Sequence, residues 1–140
     1  MHAHRLRATL LCLLASVAMV GCGIGGGGSG SGDEDQIRTT IETAFTKSDP
    51  ALCAQVLSES FISAFYGTLA RCRQSAASGQ NADRVSVSAI SVDGDHATAL
   101  TRASGGSASP KPVTLKLIKQ SGAWKIDGVT GRLPSRQRSG

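Results

Sequence analysis

The feature that most constrains this chain is a change in the period of its apolar residues near position 84. From Ile37 to Ala77 they recur every three to four positions, as on one face of a helix. From Val85 to Val129 they alternate with polar residues, as on a half-buried strand. A chain whose helices all precede its strands has no crossover helices with which to build a parallel sheet. The expected class is therefore α+β, with N-terminal helices packed on one face of a curved four-stranded antiparallel sheet.

Asp33-Glu34-Asp35 places acids in the first turn of the leading helix, where they oppose the positive end of its dipole. Ile37, Ile41, Ala44 and Phe45 then mark its apolar face. Ser48-Asp49-Pro50 is a break and restart, with Asp49 as a capping residue and Pro50 at the first helical position. Leu52, Cys53, Val56 and Leu57 form the inner face of a second helix, and Ser58-Glu59-Ser60 interrupts it. Phe61, Ile62, Phe65 and Tyr66 suit a short helix ending at Gly67. A further helical piece from about Thr68 to Ala77 carries Leu69, Cys72 and Ala76.

In the second half, Val85-Ser86-Val87-Ser88-Ala89 alternates, and Ile90-Ser91-Val92 continues out of phase, which predicts a bulge. Asp93-Gly94-Asp95 signals a hairpin turn into a second strand carrying Ala97, Ala99 and then Thr101 or Ala103. A Gly/Ser-rich loop over 105–110 separates it from a third strand with Val113, Leu115 and Leu117. Ser121-Gly122 turns the chain into a fourth strand, Ala123-Trp124-Lys125-Ile126-Asp127-Gly128-Val129. No internal repeat is visible.

The N-terminus reads as an address. A basic stretch with Arg5 and Arg7 precedes a largely apolar run of 13 residues, Ala8 to Val20. That run is too short for a bilayer core, which needs about 20 residues, and suits the central part of a secretory signal. Its end, Val17-Ala18-Met19-Val20-Gly21-Cys22, resembles a bacterial lipobox, with Met19 where Leu is usual. The resemblance implies cleavage before Cys22 and diacylglycerol on its thiol. Residues 1–21 are then a signal peptide, and 22–32 are a lipidated Cys with a Gly/Ser-rich tether of r.m.s. span roughly 16–19 Å. The domain proper covers 33–131, and 132–140 is a polar, basic tail expected to be disordered. The implied place is the extracytoplasmic face of the cell membrane, held by the lipid anchor, or outside the cell if Cys22 carries no lipid.

Export sets the cysteine chemistry. Cys12 leaves with the signal and Cys22 takes the lipid, so Cys53 and Cys72 remain as a pair in an oxidising compartment, where a disulfide is the default. Both fall on predicted helices, so the bridge clamps two helices together. A redox or metal-binding pair is the alternative, but there is no C-x-x-C spacing and no neighbouring His.

The chain is basic overall, with 15 Lys and Arg against 10 Asp and Glu. The excess lies at the ends, on Arg5, Arg7, Arg132, Arg136 and Arg138, so residues 22–130 are electroneutral. That balance, together with export, disfavours a nucleic-acid partner. The glycines at 25–28 are no phosphate loop, and Asp93 with Asp95 offers too few oxygens for calcium. No metal site or cofactor is expected.

The leading helix, the restart Ser48-Asp49-Pro50-Ala51-Leu52-Cys53, the second cysteine in Arg71-Cys72-Arg73 and the closing Gly122-Ala123-Trp124-Lys125-Ile126-Asp127 together resemble the nuclear transport factor 2-like superfamily. The likeness is to its small bacterial extracytoplasmic lipoproteins and covers roughly residues 33–130. It implies helices that close a curled sheet into a cone with an apolar pocket. Members of that superfamily include isomerases, cyclases and dehydratases as well as domains that only bind, and some pair through the sheet as homodimers. Catalytic members hold a carboxylate or a His–Asp pair in the cone. Here His96 falls at a hairpin tip, Tyr66 is the one tyrosine, and Asp127 is a surface acid if Ile126 points inward. The catalytic set is therefore empty. The expected pocket lining is Phe61, Phe65, Tyr66 and Trp124, around an apolar small ligand. The expected role is a membrane-tethered binding or accessory module of the cell envelope, with an envelope protein as the other partner class. The rivals are a small cone-fold isomerase, cyclase or dehydratase acting on an apolar metabolite, and a structural spacer in an envelope complex.

Overall fold

A computed structural model describes residues 30–79 and 81–130. The expected signal peptide, Cys22, most of the expected tether and the basic tail lie outside the described residues. Four helices come first: α1 (Ser31–Thr46), α2 (Leu52–Val56), α3 (Glu59–Tyr66) and α4 (Leu69–Ala77). Four strands follow: β1 (Arg84–Asp93), β2 (His96–Ser104), β3 (Val113–Gln120) and β4 (Ala123–Thr130). They form one antiparallel meander in the order β1-β2-β3-β4. The α+β architecture is the one that the change of period requires.

Local chemistry sets the boundaries. Ser58 interrupts the helical pattern because it caps α3: its Oγ accepts from the Phe61 N–H at 3.1 Å. Thr68 caps α4 in the same way through Arg71. Gly67, at φ +78°, ends α3 by donating to the carbonyls of Ile62 and Ser63. Asp49 accepts from the Ala51 N–H at 2.8 Å and so caps the turn that leads into α2. The phase slip in β1 is a bulge between Ser88 and Ser91, with Ala89 at φ +47°. A second bulge lies in β4, where Leu117 pairs with Ile126 but Lys116 pairs with Gly128, leaving Asp127 as the extra residue.

α1 lies across the inner face of the sheet and reaches both edges. Arg38 Nη1 donates to the Val87 carbonyl of β1 at 2.7 Å, and Thr40 Oγ1 donates to the Trp124 carbonyl of β4 at 3.4 Å. Ile37 and Ile41, one turn apart, are fully buried against Ala97, Ala99, Leu115, Leu117, Trp124 and Ile126. Asp33, at the start of α1, accepts from Lys119 Nζ at 2.7 Å and from the Trp124 indole N–H at 3.0 Å. The Lys119 ammonium also lies 5.6 Å from the centroid of that indole. These bonds, the Lys119 one first, hold the Asp33 carboxyl below its ordinary value.

α2, α3 and α4 form a flap over the other end of the inner face. Its buried residues are Cys53, Ile62 and Cys72, and the two cysteines are joined as a disulfide with their Cα atoms 6.1 Å apart. The junction between α2 and α3 also covers the outer edge of β4. Leu57 bridges Ile126 in parallel, the Ser58 N–H donates to the Ile126 carbonyl at 2.9 Å, and Lys125 Nζ donates to the Ala54 carbonyl at 2.8 Å. An otherwise open strand edge is thereby closed.

Candidate functional site

Between the flap and the sheet lies a cavity of about 530 Å³, within the range of about 300–1,000 Å³ that small-molecule sites occupy. Its origin can be read along β2. The inward positions of that strand are Ala97, Ala99, Thr101 and Ala103, a row of small side chains with burial that alternates without a break. Over Ala97 and Ala99, Ile37 and Ile41 of α1 fill the space that the small residues leave. Thr101 and Ala103, further along the strand, are buried too, but they line the wall of the cavity, beneath the flap instead of α1.

The walls are largely apolar. Leu52, Cys53 and Val56 of α2, Phe61 and Phe65 of α3 and Ala76 of α4 face the sheet residues Leu115, Ile126 and Val129. Phe61 and Phe65 stack with ring centroids 4.2 Å apart, and Phe65, 44% exposed, stands at the mouth. Tyr66 lines the cavity from a half-buried position at the end of α3. The ionisable groups at the rim are exposed Lys47, Asp49 and Lys111. The loop that carries Ala108, Ser109 and Lys111 to this rim is held against residues 81–83 by close backbone approach. A Cβ added at Gly105 would collide with the Asp83 side chain, and one at Gly106 with the Asn81 carbonyl. Asn81 in turn donates its amide to Thr46 O at 3.4 Å and to Ser48 Oγ, which fixes the opposite rim.

Thr101 is the one buried polar side chain of the cavity wall. It has no exposed surface, and no protein group bonds to its Oγ1, the sole such buried side-chain atom among the described residues. Burying a hydroxyl without a partner costs about 1–3 kcal/mol.

Three of the four expected lining residues, Phe61, Phe65 and Tyr66, are brought together here. Trp124 is not, and its expected place is corrected: it lies in the α1–sheet core, 2% exposed, with its indole N–H committed to Asp33. In the main core its ring is buried while its indole N–H keeps an acceptor. His96 is exposed at the hairpin end on the outer face of the sheet, away from the cavity. Asp127 also points away from the cavity while Ile126 points in, but it is not a free surface acid. It accepts from Ser58 Oγ at 2.6 Å and from Ser60 Oγ, and these two bonds lower its pKa. Its role is to hold the start of α3 to β4. Sequence reading missed Thr101 as a site residue. The available signal was a hydroxyl at an inward position of a strand whose other inward residues are all alanine.

Among the described residues, no group of three or more His, Cys, Asp or Glu is placed to hold a metal ion. No helix among them is long and apolar enough to cross a membrane.

A scan against family models gave no match, and a comparison with curated proteins gave none either. Two solved structures were matched. An NTF2-like protein of unknown function from Shewanella baltica matches with a TM-score of 0.53 at 11% identity, over 76% of this chain and all of that one. A putative NTF2-like transpeptidase from Campylobacter jejuni matches with a TM-score of 0.45 at 10% identity, over 69% of this chain and 97% of that one. The chain has the nuclear transport factor 2-like fold, as the first of these shows.

Proposed function

We propose that this chain is a small-molecule-binding module, held at the extracytoplasmic face of a bacterial membrane by a lipid on Cys22. The observation that carries the binding reading is the cavity of about 530 Å³ with largely apolar walls and with its charged groups Lys47, Asp49 and Lys111 at an exposed rim. Such a cavity excludes water from an apolar ligand and leaves the charged side chains solvated. General acid–base chemistry asks for a titratable group held in reach of the buried substrate, and of those that line this cavity Lys47, Asp49 and Lys111 are exposed while Tyr66 is half-buried. Asp127 and His96 lie on the other side of the sheet, so the lining supplies affinity more readily than proton transfer. The sequence around Cys22 supports the anchoring half of the reading, since it resembles a lipobox followed by a glycine-rich spacer.

A neutral apolar fluorophore, N-phenyl-1-naphthylamine, tests the binding half. Saturable fluorescence enhancement is expected with the full-length chain and is expected to be lost in Ala76→Trp, which fills the cavity from α4. Enhancement that is equal in both proteins sinks the reading. A small cone-fold isomerase, cyclase or dehydratase using the same cavity is the rival, since the fold accommodates both roles. Ligand recovered chemically unchanged from the purified protein supports binding, and turnover of it supports the enzyme. Mass spectrometry of the membrane-extracted protein tests the anchor, which an unmodified Cys22 rules out.

A further inference from the structure

We propose that the ligand of this cavity is neutral and mainly hydrocarbon, with a hydroxyl or carbonyl oxygen at its buried end, and that the Thr101 hydroxyl reads that oxygen. The inference rests on the cavity-binding reading and goes one step further, to the chemical class of the ligand. Thr101 faces the cavity from the middle of β2, between Ala99 and Ala103, with no exposed surface. Its backbone is engaged in the sheet, opposite Val87 on one side and Val113 on the other. A valine has the same shape and would serve a strand equally well. The hydroxyl is therefore not needed for packing, and it makes no bond within the protein. A polar group that folding leaves unpaired in the wall of a largely apolar cavity is the signature of a site completed by its ligand.

The surroundings of Thr101 also restrict the charge of that ligand. Leu115, Ile126, Val129 and Ala103 form the nearby sheet surface, and the ammonium groups of Lys47 and Lys111 are exposed at the rim. A carboxylate or an ammonium driven to the depth of Thr101 would be a buried charge without a counter-charge. A neutral oxygen meets one donor-acceptor hydroxyl and pays no such penalty. The Asn81 amide nitrogen is already committed to Thr46 and Ser48, and the lining hydroxyls of Tyr66, Ser75 and Ser109 keep exposed surface, which leaves Thr101 as the one fully buried group that discriminates.

The test is a matched set of probes competing with N-phenyl-1-naphthylamine on the full-length chain: cyclohexylbenzene, 4-cyclohexylphenol and 4-phenylcyclohexanone. Thr101→Val is expected to weaken at least one of the two oxygenated probes roughly 5–10-fold, as loss of one hydrogen bond does. The same variant is expected to leave cyclohexylbenzene unchanged or bound more tightly, so that the difference isolates the oxygen contact. Thr101→Ser, which keeps the hydroxyl, is expected to keep the preference and gives a second comparison if the valine variant folds poorly. Equal shifts for all three probes in Thr101→Val, or a preference that survives it, overturn the inference while the cavity-binding reading stands. Failure of every probe to displace the fluorophore, or failure of the fluorophore to bind, overturns both.

Discussion

α1 with the sheet and the flap of α2, α3 and α4 bury their apolar side chains by different means. The first assembles nine buried residues from α1 and all four strands into one continuous core. The second has three, and two of those are the halves of a disulfide. α2 is five residues long, too short to be stable by itself, and α4 packs chiefly on its neighbouring helices. Covalent linkage stands in for bulk. The cavity lies at the seam: the small residues of β2 pack under isoleucines of α1 at one end and line the cavity wall beneath the flap at the other.

The comparison is broken most severely on the core side. Trp124→Ala removes a ring packed against the sheet and leaves the Asp33 carboxylate without its indole donor. A loss of about 3–5 kcal/mol is expected, a large part of the roughly 5–15 kcal/mol that holds a small domain. Urea titration should show one cooperative transition moved to lower concentration. Retention of stability with loss of ligand instead would return Trp124 to the cavity wall.

Replacing Cys53 and Cys72 together by serine opens a loop of 19 residues' separation, worth about 3 kcal/mol in the chain-entropy view. The expected injury is local first. Amide exchange should quicken in α2 and α4 before it does in α1 and β2, and fluorophore binding should weaken while Trp124 emission holds. Simultaneous change in both regions, at one midpoint, would show that the flap is no separate unit.

The two regions also differ in how far they could be read from sequence. The strand alternation, the hairpin at Asp93-Gly94-Asp95, the bulge in β1 and the Ile37–Ile41 face all follow from local periodicity and turn chemistry, which act over a few residues. The disulfide followed from compartment and cysteine count. Three features needed the fold. The Trp124 indole could face either core or cavity until Asp33, 91 positions away, was seen to accept its proton. Ser58 and Ser60 looked like a break because their acceptor, Asp127, is nearly 70 residues on. Thr101 was one of several small residues until its unpartnered hydroxyl was seen in the cavity wall.

Asp33 and Asp127 offer the finest cut between the regions, since each is the acid that ties a helix start to the sheet. Both have folded-state pKa values held below the ordinary 3.8, Asp33 by Lys119 and Trp124 and Asp127 by Ser58 and Ser60. A lowered value stabilises the fold above pH ~4 and is lost as pH falls through the folded-state value, because the unfolded chain takes the proton more readily. Asp127→Ala should cost about 1–2 kcal/mol near pH 7, as hydrogen bonds to a charged acceptor do in a partly exposed site. The cost should shrink as pH falls below 4, where the wild-type carboxyl is protonated and accepts less well. The injury should show in α3 and in fluorophore binding, because α3 carries Phe61 and Phe65 into the cavity wall. Asp33→Asn should flatten the same acid limb of the stability curve yet leave α3 exchange unchanged, because its partners belong to the core. If the two variants quicken exchange in the same helices, the acids do not serve separate regions, and the division between core and flap fails at the point where it is most finely drawn.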